Sequence, residues 1–267
     1  MLKTRILTAL ILIPVVIYGL FGLTGFAYEA FCLIILGAAA WEWGQFAELK
    51  GLGKRTAYVA TLVFSGVVVG FLPSVIQMLV LVVAAVFWLV SFVWTAQFPE
   101  LKPWYGGKRM LAMGWVTIVP LWVALLQLSL VESYPSWLIY LLLVVWGCDT
   151  GAYFAGKRFG KTKLAPKVSP GKTREGVYGA FVVVTLLSVV AVFSGWLEVN
   201  WLGLWVISML TAVVSVQGDL LESMCKRTVG IKDSGKLLPG HGGVLDRIDS
   251  LCAALPFFAL LVVSFAV

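Results

Sequence analysis

"TAYVATLVFSGVVVGFLPSVIQMLVLVVAAVFWLVSFVWTAQFP", Thr56 to Pro99, contains no Asp, Glu, Lys, Arg or His. One bilayer crossing takes about 20 helical residues, and this run is too long for one. Pro73, with Gly70 and Ser74 beside it, splits the run into two crossings. Barrel strands would alternate apolar and polar residues, whereas this stretch is apolar throughout. Only helices and closed barrels satisfy the backbone in lipid, so the stretch predicts a helical hairpin through a membrane.

The rest of the chain reads the same way. Of its 267 residues 61% are hydrophobic and 12% charged, against about a quarter charged in soluble domains. The mean hydropathy is +0.98. These values exclude an ordinary soluble domain and predict an all-α, polytopic helix bundle. Further apolar runs cover Ile6–Leu23, Phe26–Phe46, Met110–Val131, Ser136 to about Phe154, Val177–Leu197, Trp201–Gly218 and Ser250–Val267, which makes nine spans. The first has no small-residue cleavage site after it and reads as an uncleaved helix. No repeat or separate soluble domain is visible. Residues 1–267 form one integral membrane domain, with 1–135 supplying helices and 136–267 carrying the polar motifs.

The 20 Lys and Arg exceed the 13 Asp and Glu, for a net charge of +7. With the N-terminus placed in the cytoplasm, every basic residue falls at the start or in 50–55, 100–109, 156–176 and 222–247. The outer turns "GLTG", "FLPS", "ESYPS" and "GWLEVN" hold none. The charge excess therefore follows the positive-inside rule and does not call for nucleic acid. The four cysteines, Cys32, Cys148, Cys225 and Cys252, form no CxxC and read as ordinary thiols.

Polar chemistry gathers in two inner segments. Asp149 lies about two turns inside span six. Asp219 and Glu222 end span eight, and Asp246 and Asp249 open span nine. Each pair is spaced i, i+3 and shares a helix face. Carboxylates at membrane depth are costly and usually functional. Asp246 and Asp249 also suit a helix N-terminus electrostatically, but Asp219, at a C-terminal end, gains nothing from the helix dipole. Oxygen-only ligands on one side of a membrane suit Mg²⁺, which takes one or two carboxylates plus substrate phosphate. The bases Lys157, Arg158, Lys161, Lys163, Lys167, Lys172 and Arg174 fill one segment; Lys226, Arg227, Lys232, Lys236 and Arg247 fill the other. Topology and lipid headgroups account for Lys161 and Lys163. "SPGKT" (Ser169–Thr173) and "PGHGG" (Pro239–Gly243) can instead aim backbone N–H groups at an anion. The "GKT" within the first lacks the glycine and the strand of a P-loop. His241, the only histidine, makes a poor zinc site and suits a phosphate donor or a loop strut equally.

"SMCKRTVGIKDSGKLLPGHGGVLDRID", Ser223 to Asp249, resembles the signature of the phosphatidate cytidylyltransferase (CDP-diacylglycerol synthase) family. "DTGAYFAGKRFGK" and "SPGKTREG" resemble its other inner motifs. Cys225 and Arg174 depart from the pattern, where a larger apolar residue and an aromatic are usual. The resemblance implies transfer of a cytidylyl group from CTP to phosphatidate, at the cytoplasmic face of the cell's inner membrane. It also implies Mg²⁺, with a monovalent cation such as K⁺ beside it, and a homodimer. Asp219 and Asp246 are then expected as metal ligands, with Asp249 and Asp149 as further ligands or orienters. Lys226 and Arg227 join the catalytic set. Lys172, Lys232, Arg247 and His241 are expected on phosphates. Ser169, Thr173 and Ser223 would offer hydroxyls, and Asp233 would orient a base or bind the nucleotide. Rival readings are a CTP-dependent lipid kinase and a transporter. Glu42 is the one acid deep enough to suit the transporter.

Overall fold

The computed structural model describes residues 2–102 and 105–265. Among them the helices are α1 (Leu2–Ile17), α2 (Gly25–Phe46), α3 (Leu52–Gly70), α4 (Ser74–Ala96), α5 (Gly107–Ser129), α6 (Tyr134–Phe159), α7 (Arg174–Phe193), α8 (Trp201–Thr228) and α9 (Leu245–Phe265). A π-helical turn, Tyr18–Gly22, extends α1. Eight helices, α2 to α9, are long and apolar enough to cross a membrane; the apolar part of the first, Ile6–Gly22, is shorter. The protein is a polytopic all-α membrane protein.

The expected break at Pro73 is present. α3 stops at Gly70 and Pro73 precedes α4, as the missing N–H of proline favours. Gln77 Nε2 donates to the Gly70 and Leu72 carbonyls at 3.0 and 2.9 Å. It thereby satisfies acceptors that the end of α3 leaves open. Gln127 of α5 donates in turn to Gln77 Oε1 at 2.7 Å.

Several helices overrun the apolar stretches that announced them. α6 continues to Phe159, α8 continues to Thr228 rather than ending at Gly218, and α9 starts at Leu245 rather than Ser250. The bilayer limits where apolar side chains are needed, not where i→i−4 hydrogen bonds can form. Lys157 and Arg158 close α6, and Lys226 and Arg227 close α8. Cations in a last turn complement the helix dipole.

α5 is the buried centre, with 72% of its apolar window inside the protein. Small residues let the flanking helices approach it and each other. Trp122 of α5 donates to the Gly66 carbonyl of α3 at 3.1 Å. A methyl at Gly151 of α6 would meet the backbone of Gly179 and Ala180 on α7. Gly218 of α8 sits in the same way against Asp249 and Ser250 of α9. All four cysteines are free and buried.

Contacts at the two ends of the bundle sort the loops. At one end Tyr28 pairs with Tyr134 (2.6 Å). At the other, Lys167 pairs with Glu100 (2.7 Å) and Glu42 meets the 234–245 segment. The segment after α6 is not an open loop. β1 (Lys163–Ala165) pairs antiparallel with β2 (Ser169–Thr173), Lys163 opposite Thr173 and Ala165 opposite Ser169. "SPGKT" is therefore strand rather than a free anion cradle, because the hairpin ladder takes up part of its backbone.

Candidate active site

The last turns of α8 and the first of α9 meet at Lys226. Its Nζ lies 2.9 Å from Glu222 Oε2 and 2.8 Å from Asp246 Oδ1. The three side chains are 14%, 3% and 7% exposed, so water screens these pairs little. Asp246 Oδ2 accepts from the backbone N–H of Ser234 (2.9 Å) and Gly243 (2.8 Å). One carboxylate thus holds an ammonium and the chain on both sides of the "PGHGG" turn. Among the described residues, Glu222 Oε1 is buried and finds no N–H or hydroxyl donor, with the Asp249 carboxyl close by. Asp249 lies near Glu222 and Asp219.

One turn before Glu222, Asp219 faces the hairpin. Its Oδ2 lies 2.7 Å from Lys172 Nζ of β2, and its Oδ1 accepts from Ser223 Oγ at 3.1 Å. Asp149 of α6 lies in the field of both Lys172 and Asp219. These groups line a cavity of about 540 Å³ with Lys157, Ser169 and Thr173. A second cavity, of about 570 Å³, is lined by Lys232, Asp233, Lys236, His241 and Arg247.

Glu42 supports the segment that carries the second cavity's residues from behind. It is wholly buried on α2, and Leu245 N (2.8 Å), Val244 N (3.1 Å) and Ser234 Oγ (3.1 Å) donate to it. A carboxylate here meets the unpaired N–H groups and positive end of α9. Added methyls at Gly235 or Gly243 would overlap its carboxyl group. Gly240 and Gly242 turn the loop with φ of +77 and +82, values suited to glycine.

The structure brings together Asp219, Asp246, Asp249, Lys226, Lys172 and Ser223, with Asp149 beside them. It places Lys232, Asp233, His241 and Arg247 around the other cavity. Two expected site residues also hold the fold together. Thr173 Oγ1 accepts from Gly176 N at 3.1 Å and caps α7. Arg227 Nε donates to Val168 O at 3.3 Å and ties the hairpin to α8. Ser223 reaches Asp219 rather than open space, and Arg247 Nε donates to the His241 carbonyl at 3.2 Å. Among the described residues, no group of three His, Cys, Asp or Glu stands ready to hold a metal alone. Glu42, which as a deep acid suited a transporter, is a loop strut. Its depth in span two was visible in the sequence; its partners were not.

The chain matches the sequence profile of the cytidylyltransferase family over residues 3–265. The chain belongs to the cytidylyltransferase family. It is 44% identical over 263 residues to the phosphatidate cytidylyltransferase of Pseudomonas aeruginosa, covering 98% of this chain and 97% of that protein. It is 38% identical to the Haemophilus influenzae protein of the same name, covering 97% and 98%. With the Bacillus subtilis protein of that name it shares 36% identity over 58% of this chain and 60% of the other.

In this cytidylyltransferase the acidic cluster suits a cation. Asp149, Asp219, Glu222, Asp246 and Asp249 outnumber the ammonium groups of Lys172 and Lys226, and the Glu222 and Asp246 side chains are nearly shut off from water. Such an excess of buried charge is costly unless a cation offsets it. The donors are all oxygen, and among the described residues Glu222 Oε1 accepts from no N–H or hydroxyl group. With one or two carboxylates engaged, substrate phosphates would complete the shell of Mg²⁺.

Proposed function

We propose that this chain transfers a cytidylyl group from CTP to phosphatidate, giving CDP-diacylglycerol and pyrophosphate in phospholipid synthesis. The observation that carries this reading is the meeting of Asp219, Glu222, Asp246 and Asp249 with Lys172 and Lys226 beside two cavities that carry charged side chains.

The reaction joins two polyanions. An oxygen of the phosphatidate phosphate attacks the α-phosphorus of CTP, and the bond to the bridging oxygen of the β-phosphate breaks. Pyrophosphate leaves with that electron pair. The nucleophile is already anionic, so no protein nucleophile is required. The protein's task is to align the reactants and neutralise their charge. Lys172 and Lys226 would neutralise the reacting phosphates. Lys232, Lys236, Arg247 and His241 line the cavity that suits the triphosphate, and Asp233 faces the nucleotide there. Ser223 holds Asp219 in orientation, and Ser169 offers a hydroxyl to the lipid phosphate.

Asp219 and Asp246 would hold Mg²⁺, with Asp249 and Asp149 as further ligands or orienters and K⁺ as a companion cation. When bound, the metal supplies charge neutralisation and a template for the phosphates. The charge distribution favours a site at the cytoplasmic face of the inner membrane, where both substrates arrive, and family analogy favours a homodimer.

The test is the fate of label from CTP. Cytosine or α-phosphate label should enter lipid from CTP and phosphatidate, and γ-phosphate label should leave as pyrophosphate. γ-Label in lipid would mean a kinase, and no incorporation would end the reading.

A further inference from the structure

An apolar groove of about 500 Å³ runs between α4, α7 and α8 beneath the hairpin. Its walls include Phe92 of α4, Phe98 after it, Val177 and Phe181 of α7, and Val213 and Leu220 of α8. Three polar side chains reach its wall, Thr95, Gln217 and Lys167, and each is engaged by a protein partner. Gln217 Nε2 donates to Ser91 Oγ at 2.9 Å and to Thr95 Oγ1 at 3.2 Å.

Leu164, Val177 and Val216 line both this groove and the cavity of Lys172, Asp149 and Asp219. An apolar slot and a cationic, acid-lined chamber therefore share walls. A single occupant of both would be an amphiphile whose head lies among Lys157, Lys172, Asp149 and Asp219, and a phosphate head suits the two ammonium groups. The 570 Å³ cavity of Lys232, His241 and Arg247 has no lining residue in common with the groove. The two substrates of a lipid nucleotidyl transfer differ in just this respect: one carries hydrocarbon and the other does not.

Resting on the proposed function, we infer that the groove between α4, α7 and α8 holds an acyl chain of the phosphatidate substrate. Its phosphate then lies at Lys172, and the nucleotide enters through the separate cavity of Arg247. The exposed Lys167–Glu100 pair straps the hairpin to the α4–α5 connection over the groove's end.

The experiment fills the groove. Val213→Trp is compared with Val206→Trp, which lies on the same helix, is 42% exposed and is away from the groove. Michaelis constants are measured in detergent for dioleoyl phosphatidate, dihexanoyl phosphatidate and CTP. Val213→Trp should raise KM for the dioleoyl lipid about tenfold, a usual scale for lost hydrocarbon fit. KM for the short lipid and for CTP should stay within about twofold, and Val206→Trp should resemble the parent. An unchanged dioleoyl KM, or equal rises for CTP and lipid, would overturn the assignment. A loss that tracks a changed oligomeric state on size-exclusion chromatography would give the face to a second copy and overturn it too. A phosphatidate with a diazirine in its acyl chain should label α7 and α8 peptides, with phosphatidate but not phosphatidylcholine competing. Equal competition would mark the groove as a site for any bilayer lipid. This labelling reports on the groove even where CTP label never reaches lipid, an outcome that would defeat only the functional reading.

Discussion

Lys226 Nζ lies 2.8 Å from Asp246 Oδ1 and joins the last turns of α8 to the first turn of α9. Since the same ammonium reaches Glu222, one charge balances two carboxylates. Lys226→Met should leave two buried acids facing each other. Removing one partner of a buried pair costs about 3–5 kcal/mol. The variant is expected to melt earlier in detergent and to lose at least about a hundredfold in turnover. A variant as stable and active as the parent would show that the bridge does not matter.

Glu42 and Gly243 should fail together. Glu42→Ala leaves Ser234 Oγ and two backbone N–H groups without their acceptor. Each buried unsatisfied donor costs about 1–3 kcal/mol. Gly243→Ala would drive a methyl into Ser234 Oγ and the Glu42 carboxylate. Both changes should displace the chain that donates to Asp246, lowering thermal stability and turnover alike. Wild-type melting in Glu42→Ala would contradict the strut.

Gly218 sets how closely α8 and α9 approach. A methyl there meets the Asp249 carbonyl and Ala253. Gly218→Ala should cost about 1–3 kcal/mol, as overpacked helix contacts do. It should also slow turnover, because it separates Asp219 from Asp249. The paired readings are a thermal melt and a rate at saturating substrates; no change in either would mean that the helices have slack.

The sequence made the membrane layout legible because hydrocarbon demands apolar side chains over a fixed length. Thr56–Pro99 and its break at Pro73 needed nothing more. The acids and bases of the site were legible for the opposite reason, since Asp219 or Lys226 in so apolar a chain needs an explanation. Helix ends were less visible: α8 passes Gly218 to Thr228 because helical hydrogen bonding does not stop at the membrane's edge. The partners of Glu42 lie about two hundred residues away in the chain and depend on how α2 packs against α9. The hairpin formed by Lys163–Ala165 and Ser169–Thr173 was hidden because its strands are short and rich in Gly, Pro and Lys, residues depleted in sheets.

The bases should divide by what they touch. Lys161 contributes its backbone N–H to Glu175 at 3.1 Å, and its side chain is exposed. Lys161→Ala should change stability by no more than about 0.5 kcal/mol and leave turnover close to normal. Lys172 reaches Asp219, and Lys172→Ala should raise KM for phosphatidate about tenfold or more, as loss of a charged hydrogen bond does. Equal effects of the two changes on KM would dissolve the distinction between them.

The central claim is that carboxylates at the tips of α8 and α9 act together on bound phosphates through a divalent cation. It is tested most directly by turnover of purified Asp246→Asn with CTP and phosphatidate across a Mg²⁺ titration, beside the parent protein with and without chelator. The account predicts a protein that inserts and purifies but turns over at least about a hundredfold more slowly at every Mg²⁺ concentration, and a parent silenced by chelator. Near-normal turnover of Asp246→Asn at low Mg²⁺ would contradict it.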